Sequence, residues 1–179
     1  MKRILLLMLL VSGYTNAQDM QFKFDKSGLT DYVITDVPNK TKAEIYDKVI
    51  NWIKTTYKNP NNVIVAEIKD EYVKINGAAS GLTGSGSNTY IIEISIKDRK
   101  YKLDVVELKY YITPNQFRGG WYDYSLTEDV DNINYKKNGE VTRFHKVAVT
   151  EVPKYFNELN KSLFDYINSN EVTNSKKDW

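Results

Sequence analysis

The sequence predicts an α+β fold: two layers, a curved antiparallel sheet under helices, in the order β-α-β-β-β-β-α. Three observations predict it. Residues 41–57 repeat apolar side chains at helical spacing. Residues 63–112 break into four strand-like runs separated by short turn signals. Residues 153–168 return to helical spacing. Such a strip of strands, flanked by two amphipathic helices on one face, buries a single core.

Each element has a local reason. Residues 18–28 are polar apart from Met20, Phe22, Phe24 and read as a loose leader or a short edge strand. Leu29–Val37 is a strand candidate, with Tyr32 and Ile34 on one face and Val33 and Thr35 on the other, stopped by Pro38. Thr41 caps the first helix, and Glu44 three residues on completes a capping box. Ile45, Val49, Trp52 and Ile53 make its apolar stripe, so Trp52 reads as a core anchor. Asn59-Pro60 ends it. Val63–Lys69 places Ile64, Ala66 and Ile68 on one face. Asp70-Glu71 turns the chain, and Tyr72–Ala79 returns with Val73 and Ile75 inward. Tyr90–Lys97 alternates Ile92, Ile94 and Ile96 against Glu93, Ser95 and Lys97. After the Asp98-Arg99 turn, Tyr101–Ile112 changes phase. Tyr101, Leu103 and Val105 share a face that Val106, Leu108 and Tyr110 continue, which is the pattern of a β-bulge and a bent strand. Residues 113–152 read as an irregular extension, with Arg143–Thr150 as a short extra strand. Pro153 then opens a helix over 153–168, and 169–179 is a polar tail.

Composition narrows the function classes. The 179 residues fit one domain, at 41% hydrophobic and 27% charged, and no cysteine is present. Disulfides, thiolate metal sites and cysteine nucleophiles are therefore excluded. Lys2 and Arg3, an apolar run from Ile4 to Val11, and a small-residue end at Ala17 have the order of a secretory signal peptide over residues 1–17, cleaved between Ala17 and Gln18. Removing Lys2 and Arg3 takes the 25 basic residues to 23, against 23 acidic ones, so the mature chain is formally neutral. That balance argues against nucleic acid as a partner, because such binding rests on excess Lys and Arg. No mature segment reaches the roughly 18 apolar residues of a membrane span.

The segments NAQ, DYVITDVP, KTKAEIYDKVINWIKTTYKNP, VIVAEIKDEYVKINGAA and YIIEISIKDRKYKLDVVEL resemble those of exported proteins of Gram-negative bacteria. Those proteins carry a domain of unknown function with a TATA-box-binding-protein-like (TBP-like) fold. The resemblance covers Leu29–Ile112 and is carried most specifically by Tyr46, Trp52 and the charged hairpin before Tyr101. It implies the same strand and helix order, and periplasmic or secreted localisation. It implies no activity, cofactor or site residue, and the fold's name does not bring DNA binding with it.

Few residues suggest chemistry. His145 is the only histidine, lacks any G-x-S-x-G partner, and reads as a strand surface residue. Gly81, Gly84 and Gly86 lie in a loop between two strands, where a phosphate cradle needs a following helix; a flexible connection is expected. Glu128, Asp129 and Asp131, with Asp123 nearby, lack EF-hand spacing and read as a solvated acidic loop, so no metal is expected. Asn39-Lys40-Thr41 and Asn160-Lys161-Ser162 match glycosylation acceptors but are explained by helix capping and a helix surface. The aromatic segment around Gly119-Gly120 offers Arg118, Trp121, Tyr122 and Tyr124 as binding candidates, since Trp, Tyr and Arg dominate contact hot spots. The expected function is an exported, non-enzymatic binding module for a small apolar ligand or an envelope protein, without a cofactor. The alternatives are a hydrolase of envelope material, using Asp123 with Glu128 or Glu151, and a structural subunit of an envelope assembly.

Overall fold

The alternating runs of residues 72–112 pair as three long antiparallel strands, and the rest of the chain is arranged around them. The computed structural model describes residues 21–84, 86–129 and 133–169. The signal-peptide reading, its Ala17–Gln18 junction, Asp131 and tail residues 170–179 lie outside them. In chain order the elements are β1 (Phe24–Asp25), β2 (Gly28–Leu29), β3 (Tyr32–Asp36), α1 (Lys42–Thr56) and α2 (Pro60–Val63), then β4 (Ile64–Ile68), β5 (Tyr72–Ser80), β6 (Ser87–Lys97), β7 (Lys100–Ile112), β8 (Gly120–Asp123) and α3 (Lys146–Asn168).

Among the described residues the main sheet has the order β3-β7-β6-β5-β4, with β8 added to β7. All pairings are antiparallel. One side of β7 carries β6. The other side is shared: β3 lies along Lys100–Asp104 and β8 along Lys109–Ile112. In β6 every second residue is buried, from Asn88 through Tyr90, Ile92, Ile94 and Ile96.

The helices cover one face. Thr41 Oγ1 accepts the Glu44 N–H, and the Glu44 carboxylate accepts the Thr41 N–H at 2.8 Å, the capping box read from sequence. Ile45, Val49, Trp52 and Ile53 are buried, as are Val152, Phe156, Leu159, Leu163 and Ile167 of α3. The helices join where Trp52 Nε1–H donates to Ser162 Oγ at 3.1 Å. Asn160 accepts from the Tyr101 hydroxyl at 2.8 Å and donates to Thr35 Oγ1 at 3.1 Å, so it faces the sheet rather than the surface.

At the far end of the core, Gly77 of β5 lies opposite Tyr90 of β6. A Cβ at Gly77 would overlap the Tyr90 ring and hydroxyl. The Tyr90 hydroxyl sits between those of Tyr57 (3.0 Å) and Tyr155 (2.9 Å), tying both helices to the sheet. Burial pushes the Tyr57 hydroxyl up to about 12 and those of Tyr90 and Tyr155 well above the usual tyrosine range.

Several expectations are corrected. Of the two readings of residues 18–28, the described part takes the short strand, β1 pairing with β2, and not the loose leader: Phe22 and Phe24 are buried, and Asn157 binds both the N–H (2.8 Å) and the carbonyl (3.0 Å) of Phe22. β4 does not keep Ile64, Ala66 and Ile68 on one face: its register shifts between Ile64 and Ala66, and Ile64 packs against the core whereas Ile68 is exposed. Val106 is exposed and does not continue the buried face. Residues 143–150 are not a strand. α3 starts at Lys146, and Pro153 lies inside it rather than at its start, giving up only the bond to Val149. The glycine loop is anchored: Leu82 is buried, and Asn88 accepts the Leu82 N–H and donates to Thr83 Oγ1 and the Lys109 carbonyl.

Candidate functional site

The phase change in β7 builds the site. Ile92 pairs with Val105 and Ile91 with Glu107, which leaves Val106 as the extra residue of a bulge. Before it, Tyr101, Leu103 and Val105 face the helices; after it, Leu108 and Tyr110 do. Without that residue Tyr110 would face the open side. The bulge that the sequence predicts therefore supplies an aromatic wall.

β8 pairs with this second half of β7. Neighbouring residues on a strand point to opposite faces. Tyr122 stacks on Tyr110 at 5.8 Å between centroids, whereas Trp121 packs on Tyr111 at 5.2 Å, on the open face. One residue past β8, the Tyr124 N–H still donates to the Leu108 carbonyl of β7 at 2.8 Å. The Tyr124 ring touches Phe24, Tyr110 and His145. Its hydroxyl donates to Asn134 Oδ1 at 2.6 Å and has His145 Nδ1 at 3.2 Å. Burial raises that hydroxyl well above its ordinary value. With its one proton committed to Asn134, the hydroxyl oxygen accepts from Nδ1–H. That orients the imidazole, with Nδ1–H directed at Tyr124.

Asp129 organises the remaining side. Its carboxylate accepts the N–H groups of Ile133 (2.8 Å), Asn134 (2.9 Å) and Tyr135 (2.6 Å). Burial alone would raise this carboxyl. The three donors and nearby His145 outweigh it and hold the group below its ordinary 3.8. The Tyr135 hydroxyl donates to the Phe24 carbonyl at 2.6 Å, and Leu29 N–H to the Leu126 carbonyl at 2.8 Å. Gly28, at φ +100°, leaves no room for a Cβ beside Leu126 and Thr127. The hairpin read as a leader is thus the support of the site.

These groups line a cleft of about 270 Å³ that opens to solvent. Tyr110, Tyr124 and Ile133 give it apolar walls; Glu128, Asp129, Ser125, Thr127, Asn134 and His145 supply polar groups, and Asp123 borders it with its carboxylate turned to Lys109 on the open face. Of the four sequence candidates only Tyr124 lines it, and Tyr124 is buried. Tyr122 backs the Tyr110 wall. Trp121 looks out from the other face, and Arg118 is in an exposed loop capped by Asn115 Oδ1. The single aromatic contact surface expected from sequence is split by strand alternation. His145 is the N-cap residue of α3, not a strand residue. Sequence reasoning missed Tyr110, Ser125, Thr127 and Asn134; only the β7 phase change signalled Tyr110. Asp123 and Glu128 both border the cleft, but the Asp123 carboxylate turns to Lys109, while Glu151 lies on α3 against Lys154 at 3.5 Å. Among the described residues no three His, Asp or Glu side chains are placed to hold a metal ion, and no helix is long and apolar enough to cross a membrane.

Two solved structures share this architecture. A TBP-like protein from Parabacteroides distasonis ATCC 8503 superposes with a TM-score of 0.59 at 20% identity, covering 78% of this chain and 92% of its own. The fold is TBP-like. A DUF4468 family protein from Bacteroides ovatus ATCC 8483 superposes with a TM-score of 0.61 at 12% identity, covering 82% of this chain and 90% of its own. At these identities the likeness is one of TBP-like fold alone. No protein-family model matches the chain. No curated protein matches it.

Asp129→Asn tests how the TBP-like scaffold holds this cleft. An amide offers one acceptor oxygen where the carboxylate uses two, so the variant is expected to lose about 1–2 kcal/mol at neutral pH. The carboxyl is depressed in the folded state, so its contribution is present above the ordinary 3.8 and is lost as pH falls through the folded value. Urea unfolding of both proteins across pH should show the full gap near neutrality and its closure below about pH 4.

Proposed function

We propose that this chain is an exported, non-enzymatic binding module whose ligand site is the cleft lined by β7 and by residues 123–129 and 133–134. The observation that carries the reading is the preformed constellation Tyr124–Asn134–His145, fixed by Asp129 beside the Tyr110 wall. Pockets with apolar walls and a few convergent polar groups are the usual form of a ligand site. At about 270 Å³ the cavity suits a small molecule or one side chain of an envelope protein. Export rests on the charged, apolar and small-residue order of residues 2–17.

The lysines of the open sheet face oppose a nucleic-acid role. Lys74 pairs with Glu93 at 2.9 Å, Lys102 with Asp104 at 2.5 Å and Lys109 with Glu107 at 3.0 Å, so the face offers phosphates little excess charge. A hydrolase needs one carboxyl kept protonated in apolar surroundings. The Asp123 side chain is 82% exposed and 3.7 Å from Lys109. One observation favours the assembly reading: among the described residues β4 has β5 on one side only, and Val65 and Ile68 are exposed on it.

The test is a native mass spectrum of residues 18–179, purified from the periplasm without denaturation. A monomer with a discrete added mass is expected. Thr127→Trp, which fills the cleft from its exposed rim, should lack that mass. A bare monomer in both contradicts the reading, and a clean dimer favours the assembly.

A further inference from the structure

We infer that Asn138 is a site of self-modification, converting to aspartate and isoaspartate without an enzyme, while Asn76 in the same dipeptide is protected by the fold. Asparagine precedes glycine at both positions, as Asn76-Gly77 and Asn138-Gly139. Glycine favours the reaction because it has no Cβ to crowd the attack and leaves the backbone free to bend. The glycine nitrogen attacks Cγ of the asparagine. An N–Cγ bond forms, the Cγ–Nδ2 bond breaks, and ammonia leaves with the proton of the attacking amide, giving a cyclic succinimide. Water then opens the ring. Opening at Cγ yields aspartate, and opening at the α-carbonyl yields isoaspartate, in which the chain runs through the side chain. Water is the sole co-reactant.

The two sites differ in what ring closure demands of the backbone. Residues 136–140 are all exposed. They form a tight hairpin turn: the Lys136 N–H donates to the Glu140 carbonyl at 2.7 Å, the Gly139 N–H to the Lys136 carbonyl at 2.9 Å, and Gly139 has φ +90°. Asn138 Oδ1 accepts the Glu140 N–H at 3.1 Å, so the carboxamide is already folded along the chain toward the Gly139 peptide. Closure releases exposed turn bonds and leaves the core untouched. Asn76 instead lies within β5, where it pairs with Ile91 and Gly77 pairs with Tyr90. Extended backbone turns its carboxamide out from the sheet, and Gly77 is buried against the Tyr90 ring. Closure at Asn76 requires β5 to leave the sheet, so it proceeds only from the opened population. Each conversion replaces a neutral amide by a carboxylate, and at Asn138 the new charge lies beside Glu140.

The test follows residues 18–179 at mildly alkaline pH and physiological temperature by peptide mapping, in native buffer and in urea. A mass gain of about 1 Da is expected at Asn138 in both solvents. At Asn76 it is expected in urea, with the native protein slower than its own Asn138 by at least about a hundredfold. Equal rates at the two sites in native buffer overturn the inference. An Asn138 that reacts in urea but is stable in the native protein overturns it too. Isoaspartate in the product marks the ring; aspartate alone would mean direct hydrolysis and contradict the mechanism. Asn138→Gln should abolish the acidic species that the native protein accumulates on a charge-separating gel, without moving the melting temperature. Persistence of that species places the reaction elsewhere and overturns the assignment.

Discussion

Gly77→Ala is expected to lower the melting temperature by roughly 5–10 °C, a loss of about 2–3 kcal/mol. Alanine normally suits a strand better than glycine, so propensity alone predicts a gain. Packing reverses the sign. The new methyl would overlap the ring and hydroxyl of Tyr90 across the strand pair. A free side chain could swing away, but Tyr90 is fully buried. Its ring is packed by Tyr155 and Phe156, and its hydroxyl is held by Tyr57 and Tyr155. Thermal melts of Gly77→Ala, Tyr90→Leu and the double variant separate the causes. If the clash is responsible, the double variant costs clearly less than the sum of the two single ones. A neutral Gly77→Ala would show that the ring is not held as described.

Trp52→Ala is expected to cost about 3–5 kcal/mol, enough to leave much of the protein unfolded at 37 °C. The indole is 1% exposed at the junction of both helices, and it leaves a cavity that no neighbour can fill by a rotamer change alone. Its Nε1–H bond to Ser162 adds a smaller part. Trp52→Phe keeps most of the apolar volume and loses that bond, so about 1–2 kcal/mol is expected. Denaturant unfolding of the two variants checks the order. Equal costs would make the hydrogen bond, not the packing, the main contribution.

The parts of the fold that were legible are those whose cause is local. Thr41 and Glu44 announce α1 because a capping box spans three residues. Ile92, Ile94 and Ile96 announce β6 because alternation needs only the strand itself. The β7 bulge was legible because an extra residue breaks alternation in the sequence as it does in the ladder. β8 was missed because Trp121 and Tyr122 both find tyrosine partners, one on each face, so its short sequence does not alternate. The first turns of α3 were hidden by Val147, Val149, Thr150 and Pro153, residues that favour strands or breaks, although Ala148, Val152 and Phe156 already carried four-residue spacing.

Most of the candidate site lay beyond such reading. Asp129 receives donors from a turn four to six residues away, which no spacing rule specifies. Tyr124 and His145 meet across 21 residues because α3 begins earlier than its proline suggests. The aromatic run did mark the right segment, but alternation divided its members between two faces.

The claim on which the account turns is that this constellation is preformed, and the lone histidine measures it directly. An ¹⁵N spectrum of His145 at neutral pH reads which ring nitrogen carries the proton. The account predicts a proton on Nδ1, donated to Tyr124, and loss of that preference in Tyr124→Phe. An Nδ1 without a proton in the parent protein, unchanged by Tyr124→Phe, would contradict it.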